Sequence, residues 1–430
     1  MPSFLRKPKV LIALGVAVLV LAGGAVAAYL IATKKPGDVT NTGVEFTAPP
    51  PVTTETVPEP EPEKPKKPKT VSWPRYGYTL QHTRNFQPER VLNGPWRKDW
   101  VHQVRALTEF PPVIWKGKIF QLIDDGELVS LRARDGKRRW TRRVGALAAS
   151  SPAVDAEYVY VVLLERSSGS GQGRVMALRQ RDGRIRWSKV LPSRAESSPL
   201  VIGNRLYFGS EDGTVYALDK RSGREIWTYR ANGAVKGSPT YSDGKLYFGN
   251  YGGDVQAIRA SNGRLVWRNG AGVANFYATA AVAYGRVYIG NTDGRLYSFS
   301  ARSGALAWAR QTGGYVYSSA AVHNVPDVGP TVFVGSYDGG FYAFDARTGD
   351  TRWRHEAGGK ISGSPTVIGN TVYFANLAKR ETVGLNTRSG RRVFHRSTGS
   401  FDPIVSDGVR LYLTGSSSLT ALRQVSERHR

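Results

Sequence analysis

The chain contains no cysteine among its 430 residues. This absence excludes disulfide frameworks, zinc sites with thiolate ligands, cysteine nucleophiles and lipid attachment through a lipobox cysteine. Histidine is scarce too, and the six residues lie far apart without the spacing of a metal site. No Walker A loop and no G-x-S-x-G motif occurs, so the sequence lacks two common catalytic signatures. We therefore predict no catalytic residue and no metal site.

Methionine is also rare, whereas glycine and aromatic residues are plentiful: the chain has two Met, 48 Gly and 11% aromatic residues. This balance is typical of many short β-strands joined by tight turns. The net charge is +26, from 60 Lys and Arg against 34 Asp and Glu. Such a charge favours acidic partners such as anionic lipids or envelope polymers, although a solvated Arg-rich surface has the same composition. No motif predicts a specific nucleic-acid partner.

Residues 10–32 are predicted to form a transmembrane signal-anchor. The stretch from Val10 to Ile31 carries no charge and is long enough to span a hydrocarbon core of about 30 Å. Basic residues before it favour a cytoplasmic tail at residues 1–9. A cleaved signal peptide is the alternative, since Ala25-Val26-Ala27 offers a small-residue cleavage site. Both interpretations put the rest of the chain outside the cytoplasm, and the first makes it a single-pass protein of the cell membrane.

Proline dominates the next segment, residues 33–72, which includes the run VPEPEPEKPKKPK. Proline fixes φ and favours extended polyproline II conformation. We therefore predict a Pro-rich extracytoplasmic stalk that holds the remaining chain away from the membrane.

One short phrase recurs beyond the stalk. Residues 213–230 read GTVYALDKRSGREIWTYR, and residues 338–353 read DGGFYAFDARTGDTRW. The phrase ends on an aromatic residue about every 40 residues, a period typical of β-propeller blades. The closing aromatic residues are Trp100, Trp140, Trp187, Trp227, Trp267, Trp308, Trp353 and Phe394.

Each repeat unit reads as four antiparallel strands, A to D, separated by Gly-Asn, Asp-Gly and Ser-Gly turns. A glycine such as Gly223 stands shortly before the closing aromatic residue, where a left-handed turn between strands C and D requires it. Further upstream the side chain is always small, as at Ala217. We expect the bulky indole to pack on this small residue and so to join neighbouring blades.

The two ends of the repeat region complement each other. The last unit has strands A to C and a small residue, Ala421, but no strand D, whereas Trp100 lies in a strand D without a unit before it. Joining them predicts an all-β fold: an eight-bladed β-propeller of four-stranded antiparallel blades, closed by N- and C-terminal strands. We assign residues 73–425 to this propeller and 426–430 to a tail, and we expect a monomer.

The repeat resembles the tryptophan-docking motif of propellers related to pyrroloquinoline quinone (PQQ) enzymes, most fully at Ala343, Asp345, Thr348, Gly349 and Trp353. The family includes quinoprotein dehydrogenases, which bind PQQ and calcium, and a cofactor-free lipoprotein that assists outer-membrane barrel assembly. The resemblance therefore implies the fold and leaves both activities open.

The chain also departs from the family pattern. We expect the joints that lack the motif's Asp or Trp to be less regular. The Asp is replaced by Arg132, Arg179, Arg259, Ser300 and Asn386, and the Trp by Phe394. The adjacent cysteine pair of many quinoprotein alcohol dehydrogenases is absent, no residues match the calcium ligands, and the lipobox cysteine of the assembly lipoprotein is missing. We expect no bound cofactor; PQQ with calcium is the alternative.

Because strands alternate in direction, the D–A loops and B–C turns share one face of a propeller, and the A–B and C–D turns share the other. Arginines collect in the C–D turns and predict a basic face, which suits either an anionic surface or solubility. These arginines are Arg134, Arg181, Arg221, Arg302, Arg347 and Arg388.

Polar residues precede strand A in the D–A loops and are expected to surround the channel mouth, where they suit a polar ligand or a peptide loop. Ordinary loop polarity is the alternative explanation. The predicted mouth residues are Glu109, Glu196, Lys236, Tyr277, Tyr317, Ser362 and Ser400.

These observations predict a membrane-anchored, extracytoplasmic propeller that acts as a non-catalytic binding or assembly scaffold in the cell envelope. Its expected partner is an envelope protein or an anionic polymer. Two alternatives remain open: a PQQ-dependent quinoprotein dehydrogenase, which requires calcium and a catalytic Asp in the channel, and a sensor of anionic envelope polymer.

Overall fold

The computed structural model describes residues 37–49 and 69–425. The predicted cytoplasmic tail, the anchor at residues 10–32, much of the stalk and the tail at 426–430 lie outside the described residues. Within the described ranges, no helix has the length and apolar character needed to cross a membrane. All regular elements in these ranges are β-strands.

The strands form eight separate sheets, each with a four-stranded antiparallel core, which confirms the predicted eight-bladed propeller. Blade 1 consists of Val113–Trp115, Lys118–Leu122, Glu127–Arg132 and Arg138–Arg143, and blade 2 of Ala153–Val154, Tyr158–Leu163, Arg174–Arg179 and Ile185–Val190. Blade 3 consists of Leu200–Ile202, Arg205–Gly209, Thr214–Asp219 and Glu225–Arg230, and blade 4 of Thr240–Ser242, Lys245–Gly249, Val255–Arg259 and Leu265–Asn269. Blade 5 consists of Ala281–Ala283, Arg286–Gly290, Arg295–Ser300 and Leu306–Gln311. Blade 6 consists of Ala321–Val325, Gly329–Gly335, Gly340–Asp345 and Thr351–Glu356. Blade 7 consists of Thr366–Ile368, Thr371–Asn376, Glu381–Asn386 and Arg392–Arg396.

Blade 8 combines the two ends of the repeat region. Its strands A to C are Ile404–Ser406, Arg410–Gly415 and Ser418–Gln424, and its strand D is Trp96–Gln103. Trp100 lies directly opposite Ala421 in this pairing, as predicted. The chain thus closes the circle of blades with hydrogen bonds between residues that are far apart in sequence.

Each closing tryptophan joins its own blade to the next one. Seven indole N–H groups donate to a carbonyl oxygen in the C–D turn of the following blade at 2.9–3.2 Å. The acceptors for Trp100, Trp140, Trp187, Trp227, Trp267, Trp308 and Trp353 are Ala133, Gln180, Lys220, Ala260, Ala301, Ala346 and Thr387. The repeated phrase is therefore an inter-blade joint.

The surface under each indole differs from the predicted one. The small residue, such as Ala217, lies opposite Trp227 within the same blade. The ring instead lies over the C–D glycine of the next blade, where an added Cβ on Gly223 would come within 2.6 Å of Trp187 Cε3. This glycine thus meets two demands, a φ of +72° and room for a ring.

The joints with replaced Asp residues remain regular, contrary to expectation. Arg132 pairs with Asp135 at 2.6 Å, and Arg179 pairs with Asp182 at 2.8 Å, so in these two turns an ion pair links the end of strand C to the turn. The exception is Phe394, which has no indole N–H. Its joint faces blade 8, where strands C and D come from different chain ends and no C–D turn exists to accept that hydrogen bond.

Residues 69–86, here called the plug, run along the innermost strands, the A strands, of successive blades. Its backbone bonds to strand A or its adjoining turn in seven blades: Val71 with Asp407, Trp73 with Ile114, Pro74 with Val154, Leu80 with Tyr241, Gln81 with Val282, Thr83 with Val322 and Arg84 with Val367. Asn85–Phe86 also pairs in parallel with Thr366–Ile368. Trp73, Tyr76, His82 and Arg84 are buried in this segment.

Residues 39–49, here called the strap, lie against blade 5 although the sequence places them in the stalk. Val39–Thr40 adds a fifth strand next to Leu306–Gln311. Arg310 donates to the carbonyl oxygen of Val39, and Arg286 donates to that of Val44, both at 2.6 Å. These buried guanidinium groups stabilise the contact because they satisfy exposed backbone acceptors of the strap.

Candidate ligand-binding cup

A cavity of about 330 Å³, here called the cup, opens among the D–A loops and B–C turns. Six of the seven predicted mouth residues line it: Glu109, Glu196, Lys236, Tyr277, Tyr317 and Ser362. Ser400 is buried and does not line the cup, whereas the next two residues, Phe401 and Asp402, do. Tyr76 of the plug also lines the cavity. A ligand-binding role for these residues stays a prediction.

One side of the cup is acidic. The backbone N–H of Glu109 donates to Asp124 Oδ1 at 3.2 Å, so the Asp124 carboxylate lies beside the Glu109 main chain. Burial, together with the charge of Glu109, raises the pKa of Asp124 to about 7. Burial and then Glu196 raise the pKa of Glu109 as well. Both effects indicate that negative charge is concentrated here in a poorly solvated place.

A lysine neutralises the neighbouring acidic pair. Lys236 Nζ lies 2.6 Å from Glu196 Oε1 and 2.9 Å from Glu211 Oε1. The same ammonium group lies 5.3 Å from the ring centre of Tyr251 and 6.0 Å from that of Tyr277, within cation–π range. Burial acts to lower the pKa of Lys236, but the glutamates raise it overall, so the lysine stays charged.

Tyrosines form the other side of the cup. Tyr317 is central, with ring centres 5.3 Å from Tyr277, 5.8 Å from Tyr315 and 4.9 Å from Tyr337. Lys360 Nζ lies 5.4 Å from the ring centre of Tyr337. These edge-to-face and tilted arrangements are typical of aromatic pairs, and the Tyr337 hydroxyl also donates to the Ser362 hydroxyl at 3.3 Å.

The inner end of the cup is held by the plug. The Arg84 guanidinium lies 4.0 Å above the Tyr76 ring, and Arg84 lies 3.9 Å from Asp402 Oδ1. Tyr76 also hydrogen bonds Ser364 at 3.0 Å. Burial, with the nearby Arg84, lowers the pKa of His82 to about 3, so this imidazole is neutral and hydrogen bonds Thr240. These contacts fix the plug as a rigid base.

Sequence reasoning missed the residues that reach the cup from B–C turns. Tyr251 and Tyr337 line it, and Glu211 and Asp124 stand immediately behind it. Each of the four follows strand B at a matching place in its blade, and each donates its backbone N–H to a D–A loop. The same alignment that located the D–A residues would have located these.

The six predicted arginines of the basic face all lie exposed in C–D turns. Five of them have a carboxylate within 4 Å: Arg134 with Asp135, Arg181 with Asp182, Arg221 with Glu157, Arg302 with Glu45 of the strap, and Arg388 with Asp327. The local charge of this face is therefore weaker than the sequence alone indicates.

The cup residues do not fit PQQ with calcium. PQQ is a planar tricarboxylate and needs positive charge around it. Among the described residues, Glu109 and Asp124 have no Lys or Arg at ion-pair distance, and Lys236 is already bonded to two glutamates. Within residues 37–49 and 69–425, no group of three His, Asp or Glu side chains is placed to hold a metal ion. The Asp402 carboxylate, which also lines the cup, lies 3.9 Å from Arg84 and accepts the Ser364 N–H at 2.7 Å.

Comparison with known proteins places this architecture among related propellers. A family model described as outer membrane protein assembly factor BamB matches residues 94–168, 166–325 and 318–426. The structure is similar to BamB from Moraxella catarrhalis, with 20% identity over 78% of this chain and 100% of that one, at a TM-score of 0.63.

Two enzymes have the same fold at lower identity. The quinohemoprotein alcohol dehydrogenase ADHIIG from Pseudomonas putida is 14% identical over 82% of this chain and 80% of its own, with a TM-score of 0.70. The quinohemoprotein alcohol dehydrogenase from Comamonas testosteroni is 13% identical over 84% and 82%, also at 0.70. No curated protein is significantly similar to this chain in sequence. These likenesses show the fold and leave the activity to the site.

Proposed function

Since this chain belongs to the family of the outer membrane protein assembly factor BamB, we propose that it is a non-catalytic binding or assembly scaffold of the cell envelope. In this proposal residues 10–32 anchor the protein in the cytoplasmic membrane and the propeller, outside the cytoplasm, binds an envelope protein at the cup.

The observation that carries the proposal has two parts: the plug is bonded to the inner strands, and the cup is lined by different residue types in different blades. The plug binds the inner strands of seven blades and supplies a rigid base. Above it, charged and aromatic groups differ from blade to blade, as ligand recognition requires. An inert spacer would need the tryptophan joints but not this concentration of tyrosine and half-buried carboxylate.

Photo-crosslinking in the native envelope tests this role. A benzoylphenylalanine at Tyr315, which is 52% exposed beside Tyr317, probes the rim of the cup. The same residue at Arg221 probes the basic face and is the matched control. We expect discrete protein adducts from position 315 and none from position 221. Adducts from 221 alone, or from neither position, would contradict a scaffold that works through the cup.

The dehydrogenase alternative has a direct test. The purified protein is mixed with PQQ and calcium, and both its absorbance spectrum and its reduction of a dye in the presence of alcohols are recorded. We expect neither saturable uptake nor turnover, because the cup lacks the charge complementarity for a tricarboxylate. Saturable uptake accompanied by dye reduction would replace the scaffold with an enzyme.

The anionic-polymer alternative depends on the basic face. Because five of its six arginines already lie near carboxylates, we propose that this face makes only weak contacts of its own. Adsorption to an anionic polymer, measured at low and at physiological salt, should be slight and should vanish with added salt. Strong adsorption at low salt that weakens as salt is raised would favour the sensor, because a contact made through the arginines is screened by salt, whereas weak binding that salt does not change would discard it.

A further inference from the structure

We propose that the cup binds an organic cation, a guanidinium or ammonium group, between the Glu109 carboxylate and the tyrosine side of the cavity. The inference rests on the proposed binding role of the cup and names the chemistry of its ligand.

The first argument is unbalanced charge. In blade 1 the B–C turn carries two adjacent acids, and Asp125 is the one that caps the turn: it accepts the Glu127 N–H at 3.1 Å and pairs with Arg143 at 3.3 Å. Asp124 is left beside Glu109. Within the described part of the chain, neither Asp124 nor Glu109 has a Lys or Arg at ion-pair distance.

This imbalance is unusual in a protein with a net charge of +26. Two B–C carboxylates of other blades have a nearby guanidinium group: Asp212 pairs with Arg230 at 2.9 Å, and Asp338 lies 3.6 Å from Arg354. Half-buried carboxylates without a counter-ion are costly, so a cation that enters the cup gains most at Glu109. The raised pKa of both acids agrees with this account.

The second argument comes from the tyrosines. Cations already lie against this wall, since Lys236 contacts Tyr251 and Tyr277 while Lys360 contacts Tyr337. Tyr317 stands between these rings, and among the described residues no Lys or Arg lies over its ring. An incoming cation could therefore stack on the Tyr317 ring, as Lys236 and Lys360 already do on the neighbouring tyrosines.

The two sides lie across the cavity from each other. Glu109 belongs to the loop before blade 1 and Tyr277 to the loop before blade 5, which is half of the way round a circle of eight blades. A volume of about 330 Å³ lies at the lower end of the range of small-molecule sites. It suits one long cationic side chain presented by a protein loop, or a short free polyamine.

Titration calorimetry on the full-length protein in detergent tests the inference. The probes are an acetylated, amidated Gly-Arg-Gly peptide, the same peptide with uncharged citrulline in place of Arg, and spermidine. We expect the Arg peptide or spermidine to bind at least about ten-fold more tightly than the citrulline peptide, a difference of about 1.4 kcal/mol. The tighter of the two cations identifies the source, a protein loop or a free polyamine.

Variants locate the site. Glu109→Gln should weaken cation binding about ten-fold, and Tyr317→Leu should weaken it several-fold while Tyr317→Phe retains it. Glu157→Gln is the matched control, since that exposed carboxylate lies at an A–B turn near Arg221. Equal binding of the Arg and citrulline peptides, or a Glu109→Gln variant that binds like the wild type, would overturn the inference. Cup-specific crosslinks from position 315 would still stand in that event, so the scaffold role and its ligand class fail separately.

Discussion

Replacing Gly304 with alanine separates the two reasons for a glycine in each C–D turn. Its φ of +76° strains any other residue, at about 1–2 kcal/mol. An added Cβ would also come within 2.5 Å of Trp267 Cε3, so the indole would have to move. Gly244 is the matched control, because its φ is +74° and a Cβ there would meet nothing within 4 Å.

The two substitutions should therefore differ in their effect on the free energy of unfolding, and the difference should equal the contribution of one tryptophan joint. We expect Gly244→Ala to lower the free energy of unfolding by about 1–2 kcal/mol. Gly304→Ala should lower it by a further 2–4 kcal/mol or so, because overpacking costs about 1–3 kcal/mol and the indole loses a hydrogen bond of about 1 kcal/mol. That bond is the 3.1 Å contact from Trp267 to the Ala301 carbonyl oxygen.

Guanidinium unfolding followed by circular dichroism measures both variants, and near-ultraviolet signals report whether an indole has moved. The comparison is valid where the slope of the transition is unchanged. An equal loss in the two variants would refute the reasoning, since it would mean that the turn requires glycine for its backbone angle alone.

Three further predictions concern Trp73, Trp353 and Asp124. Trp73→Ala should cost about 3–5 kcal/mol, because Trp73 is buried in the plug against Phe86; a loss below about 1 kcal/mol in chemical denaturation would mean that the plug contributes little. Trp353→Phe should cost about 1–2 kcal/mol through its lost indole bond, measured in the same assay; no loss would show that ring packing alone holds that joint. Asp124 has a pKa raised from 3.8 to about 7 in the folded state, so it contributes a penalty that grows as pH rises through that window. Asp124→Asn should then match the wild type in melting temperature near pH 4 and exceed it at pH 8, and an equal difference at both pH values would contradict the assignment.

The parts of the fold that rest on side-chain periodicity could be predicted from sequence. The tryptophan spacing located all eight blades, and the pairing of Trp100 with Ala421 followed from a missing strand at one end and a spare strand at the other. The residue under each indole was assigned wrongly. Sequence spacing identifies a small residue but does not tell whether it belongs to the same blade as the ring or to the next one.

The plug and the strap could not be predicted, because backbone groups make most of their contacts. Leu80 and Gln81 are bonded to blades 4 and 5 through their carbonyl oxygens, which every residue type supplies. The strap depends on Arg286 and Arg310, and nothing in the sequence distinguishes these from the many other arginines. The cup was predicted in part, since D–A loops were aligned on the repeat while the B–C turns that bring Tyr251 and Tyr337 were not.

The pairing of Trp96–Gln103 with Ser418–Gln424 also constrains the order in which the molecule can be completed. The plug and strand D of blade 8 are synthesised before most of the residues that they contact. Their hydrogen bonds can therefore be completed only when nearly the whole propeller has been translated. A nascent chain that lacks only its final strand, Ser418–Gln424, would leave the outer strand Trp96–Gln103 unpaired. Removal of a few residues before Gln424 should therefore damage the entire assembly, whereas an equal deletion in a surface turn such as residues 167–172 should have a local effect.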